Sequence, residues 1–129
     1  MQIRVYYEDT DLAGIVYYAN YLKFIERGRT EYLRARGVEQ GALKAERDLV
    51  FAASRVVADY VAPAVFDDLL TVETALVGFK GARVIMAQQV LRADQVLFRA
   101  EVTLASMTGG GRPTRVPADL CAILQRLVD

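Results

Sequence analysis

With 129 residues, 53% of them apolar, the chain has the length of one domain and enough apolar material for a real core. Sixteen basic and sixteen acidic residues cancel, so no basic excess points to nucleic acid and no basic amphipathic stretch points to a membrane surface. There is no histidine, which excludes Ser-His-Asp and Cys-His catalysis and the common His-containing zinc sites, and the single Cys121 excludes an internal disulfide.

No apolar run approaches the length of a membrane span. The first residues, Met1 to Val5, read as a strand and not as a signal peptide, so a cytoplasmic protein is expected. Residues Gln2 to Tyr7 alternate, with Ile3, Val5 and Tyr7 on one face, which predicts a strand. A loop from Glu8 to Val16 follows. From about Ala19 to Arg36 the spacing turns helical: Leu22, Ile25, Tyr32 and Leu33, with Ala19 and Gly28, form an apolar face. Asn20 is a candidate N-cap, Arg34 and Arg36 fill the last turn, and Gly37 suits the C′ position. Gly28 inside the helix costs about 1 kcal/mol against Ala. A close approach to a sheet or simple tolerance accounts for it equally well. Glu39 to Arg47 reads as a second, short helix.

Beyond this point strands dominate. They are predicted over Leu49–Tyr60, Leu69–Val77, Arg83–Leu91 and Val96–Met107, joined by the connection Ala62–Asp68 and by turns at Gly78–Gly81 and Arg92–Gln95. The last three, with their short links, predict an antiparallel meander. Gly109–Gly111 reads as a flexible break, and Pro117 suits the first turn of a terminal helix reaching about Leu127. This order predicts an α+β fold, a single domain over residues 1–129, in which an antiparallel sheet wraps around one long central helix. The helix should be buried on most sides. The other sheet face needs cover, so a dimer is expected.

The segment Tyr6 to Tyr21 passes from strand to helix through Asp9, Thr10, Asp11 and Gly14. Such a passage can aim a carboxylate and a helix N-terminus at the same point, which suits chemistry on a carbonyl. Taken alone, Asp9 and Asp11 also fit a turn or a cap. Tyr17, Tyr18 and Tyr21 fit core or interface aromatics, and Glu26, Arg27, Arg29 and Glu31 fit a solvated helix face.

A larger pattern joins these pieces. Arg4-Val5, then Thr10-Asp11, then Gly14-Ile15-Val16-Tyr17 resembles the signature of hotdog-fold acyl-CoA thioesterases, in particular the 4-hydroxybenzoyl-CoA thioesterase family and the Tol-Pal-associated acyl-CoA thioesterases. The resemblance runs on through Tyr18-Ala19-Asn20-Tyr21, Phe24 to Glu31, Asp59 to Pro63 and Phe66-Asp67-Asp68. It implies hydrolysis of an acyl-CoA to free acid and CoA, with Asp11 acting at the thioester carbon as nucleophile or as base for water. It also implies that the backbone N–H of Tyr18 polarises the carbonyl. Gly14, Ile15, Val16, Tyr17 and Lys80 are implied on the substrate side, Lys80 toward the CoA nucleotide. Tol-Pal-associated members often carry histidine where Tyr18 stands, and the hydroxybenzoyl branch has a richer basic cluster around Lys80. No metal or redox cofactor is implied. The resemblance further implies a homodimer or homotetramer with sites between protomers. Two rivals accompany this reading: a thioesterase acting on acyl carrier protein, and a non-catalytic hotdog module for acyl binding or envelope assembly.

Overall fold

The computed structural model describes residues 1–127, so the last two residues of the expected domain lie outside it. Its elements are β1 (Gln2–Arg4), α1 (Asn20–Ala35), α2 (Gln40–Arg47), β2 (Val50–Tyr60), β3 (Leu69–Lys80), β4 (Arg83–Arg92), β5 (Gln95–Met107) and α3 (Ala118–Gln125). The five strands form one antiparallel sheet in the order β1-β3-β4-β5-β2. The meander β3-β4-β5 agrees with the sequence. Strand β2, which precedes it, crosses over to the far side and pairs with β5.

Several boundaries move. The first strand stops at Arg4, and Tyr7–Asp9 form a 3₁₀ turn in place of strand and loop. The chain turns there because Asp9 Oδ2 accepts the N–H of Tyr6 at 2.8 Å and Thr10 Oγ1 donates to the carbonyl of Tyr7 at 2.8 Å. Strand β3 runs on to Lys80, so the turn is Gly81-Ala82, with Gly81 at φ +61°, and not Gly78–Gly81. Gly78 lies at a bulge, where the pairing slips between Leu76 and Gly78. Pro117 is the N-cap of α3, one residue earlier than expected. The three glycines close a turn, with the Gly109 N–H on Asp48 Oδ1 at 3.0 Å.

Helix α1 packs on the concave face of the sheet. Tyr21, Phe24, Ile25, Gly28 and Leu33 are buried at helical spacing. The helix ends in a paired cap: the N–H of Gly37, at φ +78°, reaches the carbonyl of Arg34, and the N–H of Val38 reaches that of Leu33. Buried Val38 and Leu33 add the apolar contact that accompanies this motif. Within one chain, however, α1 is not enclosed: besides the sheet it meets the α3 end of the chain, where the Tyr32 hydroxyl donates to the Leu124 carbonyl at 2.8 Å, and Leu22, expected inside, is 42% exposed. The five strands of one chain curve past a single side of the helix.

Gly28 has a definite reason. A Cβ placed on it would stand 2.6 Å from Val72 Cγ1, 3.0 Å from Thr74 Oγ1 and 3.2 Å from Gln88 Nε2. Gln88 itself is 1% exposed and fully engaged. Its Nε2 donates to the carbonyl of Ile25 at 2.8 Å and to Thr74 Oγ1 at 2.9 Å, while its Oε1 accepts from Arg29 at 3.0 Å. Gln88→Leu keeps the bulk and removes these bonds, leaving buried polar groups unpartnered. A loss of about 2 kcal/mol is expected in denaturant unfolding.

Candidate active site

The loop between β1 and α1 is held on both sides. Asp11 donates its N–H to the carbonyl of Ile15 at 2.9 Å, and its own carbonyl accepts the N–H of Gly14 at 3.0 Å. Gly14 stands at φ +83°, a conformation that favours glycine and lets the loop reverse. On the outer side, Val16 donates to Ala64 at 2.9 Å, and Ile15 bridges to Val65. The connection 61–68 beneath is anchored by Asp68. Its carboxylate accepts from the Val65 N–H at 2.9 Å and pairs with Arg92 at 2.7 Å. Asp68, which the sequence shows only as the end of a connection, therefore also supports the loop.

The Asp11 side chain is half-buried. Its Oδ1 accepts the N–H of Ala13 at 2.9 Å, while its Oδ2 has no hydrogen bond among the described residues. One oxygen is thus fixed and the other remains open. Tyr18 lies in the turn that leads into α1, with its side chain 62% exposed. Its N–H finds no acceptor among the described residues, and its carbonyl accepts the hydroxyl of Tyr60 at 2.8 Å. The Tyr17 hydroxyl is held above the usual phenol range, first by hydrogen bonding with Tyr18, then by the charge of Tyr18, by burial and by Asp11. It therefore stays protonated at neutral pH beside the Asp11 carboxylate.

Aromatic rings line the same end of the fold. Tyr17 and Tyr18 lie 4.9 Å apart, Tyr18 meets Tyr60 edge-on, and Tyr21 stacks on buried Phe98 at 4.9 Å. Burial is the first cause that raises the Tyr60 and Tyr21 hydroxyls above their ordinary value. In the sequence Tyr60 reads as the end of a strand, within the segment Asp59 to Pro63 that carries the resemblance, and with no role of its own. Nothing in the local sequence reveals that its hydroxyl reaches the Tyr18 carbonyl.

The structure brings Asp11, Gly14, Ile15, Val16, Tyr17 and Tyr18 into one loop and does not bring Lys80 to it. Leu69 at the start of β3 pairs with Arg4 near the loop, whereas Lys80 ends the same strand. At roughly 3.3 Å per residue that separation is about 36 Å. Asn20 is not the N-cap: Ala19 takes that position, and the Asn20 side chain donates to Asp9 Oδ1 at 2.7 Å. Glu31 pairs with Arg34 on the helix surface. A separate cleft of about 90 Å³ opens between α1 and the strands, lined by residues such as Glu26, Arg29, Thr30, Phe51, Met86 and Leu104, and it includes no residue of the loop. Among the described residues no group of three His, Cys, Asp or Glu side chains is placed to hold a metal ion, and no helix is long and apolar enough to cross a membrane.

An antiparallel sheet curled against one long helix, with an acidic loop feeding the helix N-terminus, is the hotdog architecture of thioesterases. The chain belongs to the thioesterase-like superfamily, which matches residues 5–124. The acyl-CoA thioesterase YbgC of Haemophilus influenzae is 41% identical over 126 residues, covering 97% of this chain and 93% of that protein. A probable thioesterase from Bartonella henselae superposes with a TM-score of 0.87 at 38% identity, over 91% of this chain and 97% of that one. An aspartate-to-asparagine variant of 4-hydroxybenzoyl-CoA thioesterase, solved with 4-hydroxybenzoyl-CoA, superposes with a TM-score of 0.91 at 27% identity over 96% of each chain.

Proposed function

We propose that the protein hydrolyses acyl-CoA thioesters to a free acid and CoA. The observation that carries this reading is the pairing of a half-buried carboxylate with a free backbone amide in the turn just ahead of α1, on one short loop. Asp11 Oδ2 is unencumbered, and the Tyr18 N–H has no acceptor among the described residues. As nucleophile, the Asp11 carboxylate adds to the thioester carbon, CoA leaves as thiolate, and water cleaves the resulting anhydride. As base, it takes a proton from the attacking water. Both routes place negative charge on the carbonyl oxygen, where the Tyr18 N–H and the positive end of α1 stabilise it. Gly14 to Tyr17 form the wall beside that oxygen. The names of the relatives support the thioester as substrate.

The working unit in this proposal is a homodimer, or a pair of dimers. Strand β2 ends the sheet with one edge unpaired among the described residues, and Val56, Val57 and Tyr60 on it, with Val61 just beyond, are exposed. A second copy there covers the open face of α1. It sets the loop of one protomer over the cleft beside the partner's helix, and it supplies Lys80 for the CoA nucleotide from a chain other than the one giving Asp11. The use of acyl-CoA assigns the protein to the cytoplasm.

Thiol release from a panel of aliphatic and aromatic acyl-CoAs tests the activity. Turnover on at least one class is expected. Turnover confined to matched carrier-protein thioesters would transfer the assignment to that substrate, and tight acyl binding without turnover on either would overturn it. For the assembly, light scattering should give two or four times the 14.3 kDa chain mass, and a monomer overturns the shared site.

A further inference from the structure

Asp9, which the sequence shows only as a turn former, is hydrogen-bonded through every polar group it carries. Its N–H donates to the Tyr6 carbonyl at 3.0 Å, and its carbonyl accepts the Tyr17 N–H at 2.9 Å. Its Oδ2 accepts the Tyr6 N–H at 2.8 Å, and its Oδ1 accepts Asn20 Nδ2 at 2.7 Å. Asn20 is 8% exposed, and its own N–H reaches the carbonyl of Tyr17 at 2.8 Å. The base of the loop is therefore closed twice, by main chain between residues 9 and 17 and by side chains between 9 and 20. Asp11 leaves this clamp two residues on, and Tyr18 leaves it one residue after Tyr17.

The elements on either side have other supports. Strand β1 is paired to β3, and α1 is seated through Tyr21, Phe24 and Ile25. The tip and outer side of the loop are held by Ile15 and Ala64; what the clamp adds is closure at its base, where the branches carrying the Asp11 carboxylate and the Tyr18 N–H meet. A carboxylate is suited to this role because two donors arrive at two different oxygens, and an amide has only one oxygen. No cation lies within salt-bridge distance of Asp9 among the described residues, so its charge is held by neutral donors and by the N-terminal end of α1.

We infer that Asp9 is a positioning residue, which through Asn20 and Tyr6 sets the Asp11 carboxylate and the Tyr18 amide in register for attack on the thioester. The inference rests on the proposed roles of Asp11 and Tyr18. Its test is Asp9→Asn beside the reciprocal exchange Asp9→Asn with Asn20→Asp, which restores an amide-to-carboxylate bond with the partners reversed. For Asp9→Asn, kcat should fall by about ten- to a hundredfold while KM stays within about twofold, since a misplaced loop loses transition-state contacts before it loses binding. The melting temperature should move by a few degrees at most, and the exchange should recover most of the lost kcat.

An unchanged kcat overturns the inference, as does a fall in kcat that tracks melting and is not recovered by the exchange. Should Asp9→Asn fail to fold, Asn20→Ser removes the same bond from the helix side and is read by the same criteria. Asp11→Asn, measured in parallel, separates the two levels. Full activity there removes the reading on which this inference rests, whereas loss there with normal kcat in Asp9→Asn removes only the clamp.

Discussion

Asp11→Asn should fold normally and lose turnover by about 10³-fold or more, equivalent to about 4 kcal/mol of transition-state stabilisation. The substitution keeps the shape of the side chain and its Oδ1, so the bond from the Ala13 N–H survives. What disappears is the charge and basicity at the free Oδ2 position, which both hydrolytic routes require. KM for the acyl-CoA should change little, because the carboxylate meets the substrate only at the reacting carbon. Steady-state thiol release with thermal melting checks this. Turnover indifferent to the change would mean that the chemistry lies on another residue.

Gly28→Ala should destabilise the protein although alanine is the better helix former. The propensity gain is about 1 kcal/mol. Against it stands a methyl 2.6 Å from Val72 Cγ1, a branched side chain on a strand that has little freedom to swing away. Overpacking of this kind costs about 1–3 kcal/mol, so a net loss of about 1 kcal/mol is expected, and Gly28→Leu should lose several times more. The melting temperature of the alanine variant should fall by about 3–6 °C. A rise would show that the helix can lift off the sheet at no cost.

These two residues mark different degrees of legibility. Gly28 stood out as a glycine in a helix interior, with close approach to a sheet as one of two explanations, and the Val72 contact selects that one. The ends of α1 were readable within a residue, since Gly37 and the preceding arginines are local signals that act within one turn. The turn at Gly78 was misplaced because a glycine at a bulge and a glycine at a turn look alike until the partner strand is known. Leu22 was assigned to the buried face because a periodic pattern gives no measure of how much of a helix one sheet can cover. For Asp9 and Asn20 the local options, turn and cap, were reasonable. Their actual partners depend on where the loop returns.

By itself, the sequence determined the main helices and strands, the meander, the glycine that ends α1 and the acidic passage into that helix. Each of these is written in spacing or residue chemistry over a few positions. Only the tertiary structure decided that β2 lies beside β5, that Asp9 bonds Asn20, that Tyr60 holds the Tyr18 carbonyl and that Lys80 sits at the far end of β3 from Asp11. Those relations join residues through strand order and register, which are settled by long-range pairing and burial across the whole sheet and leave no signature in any one stretch of chain.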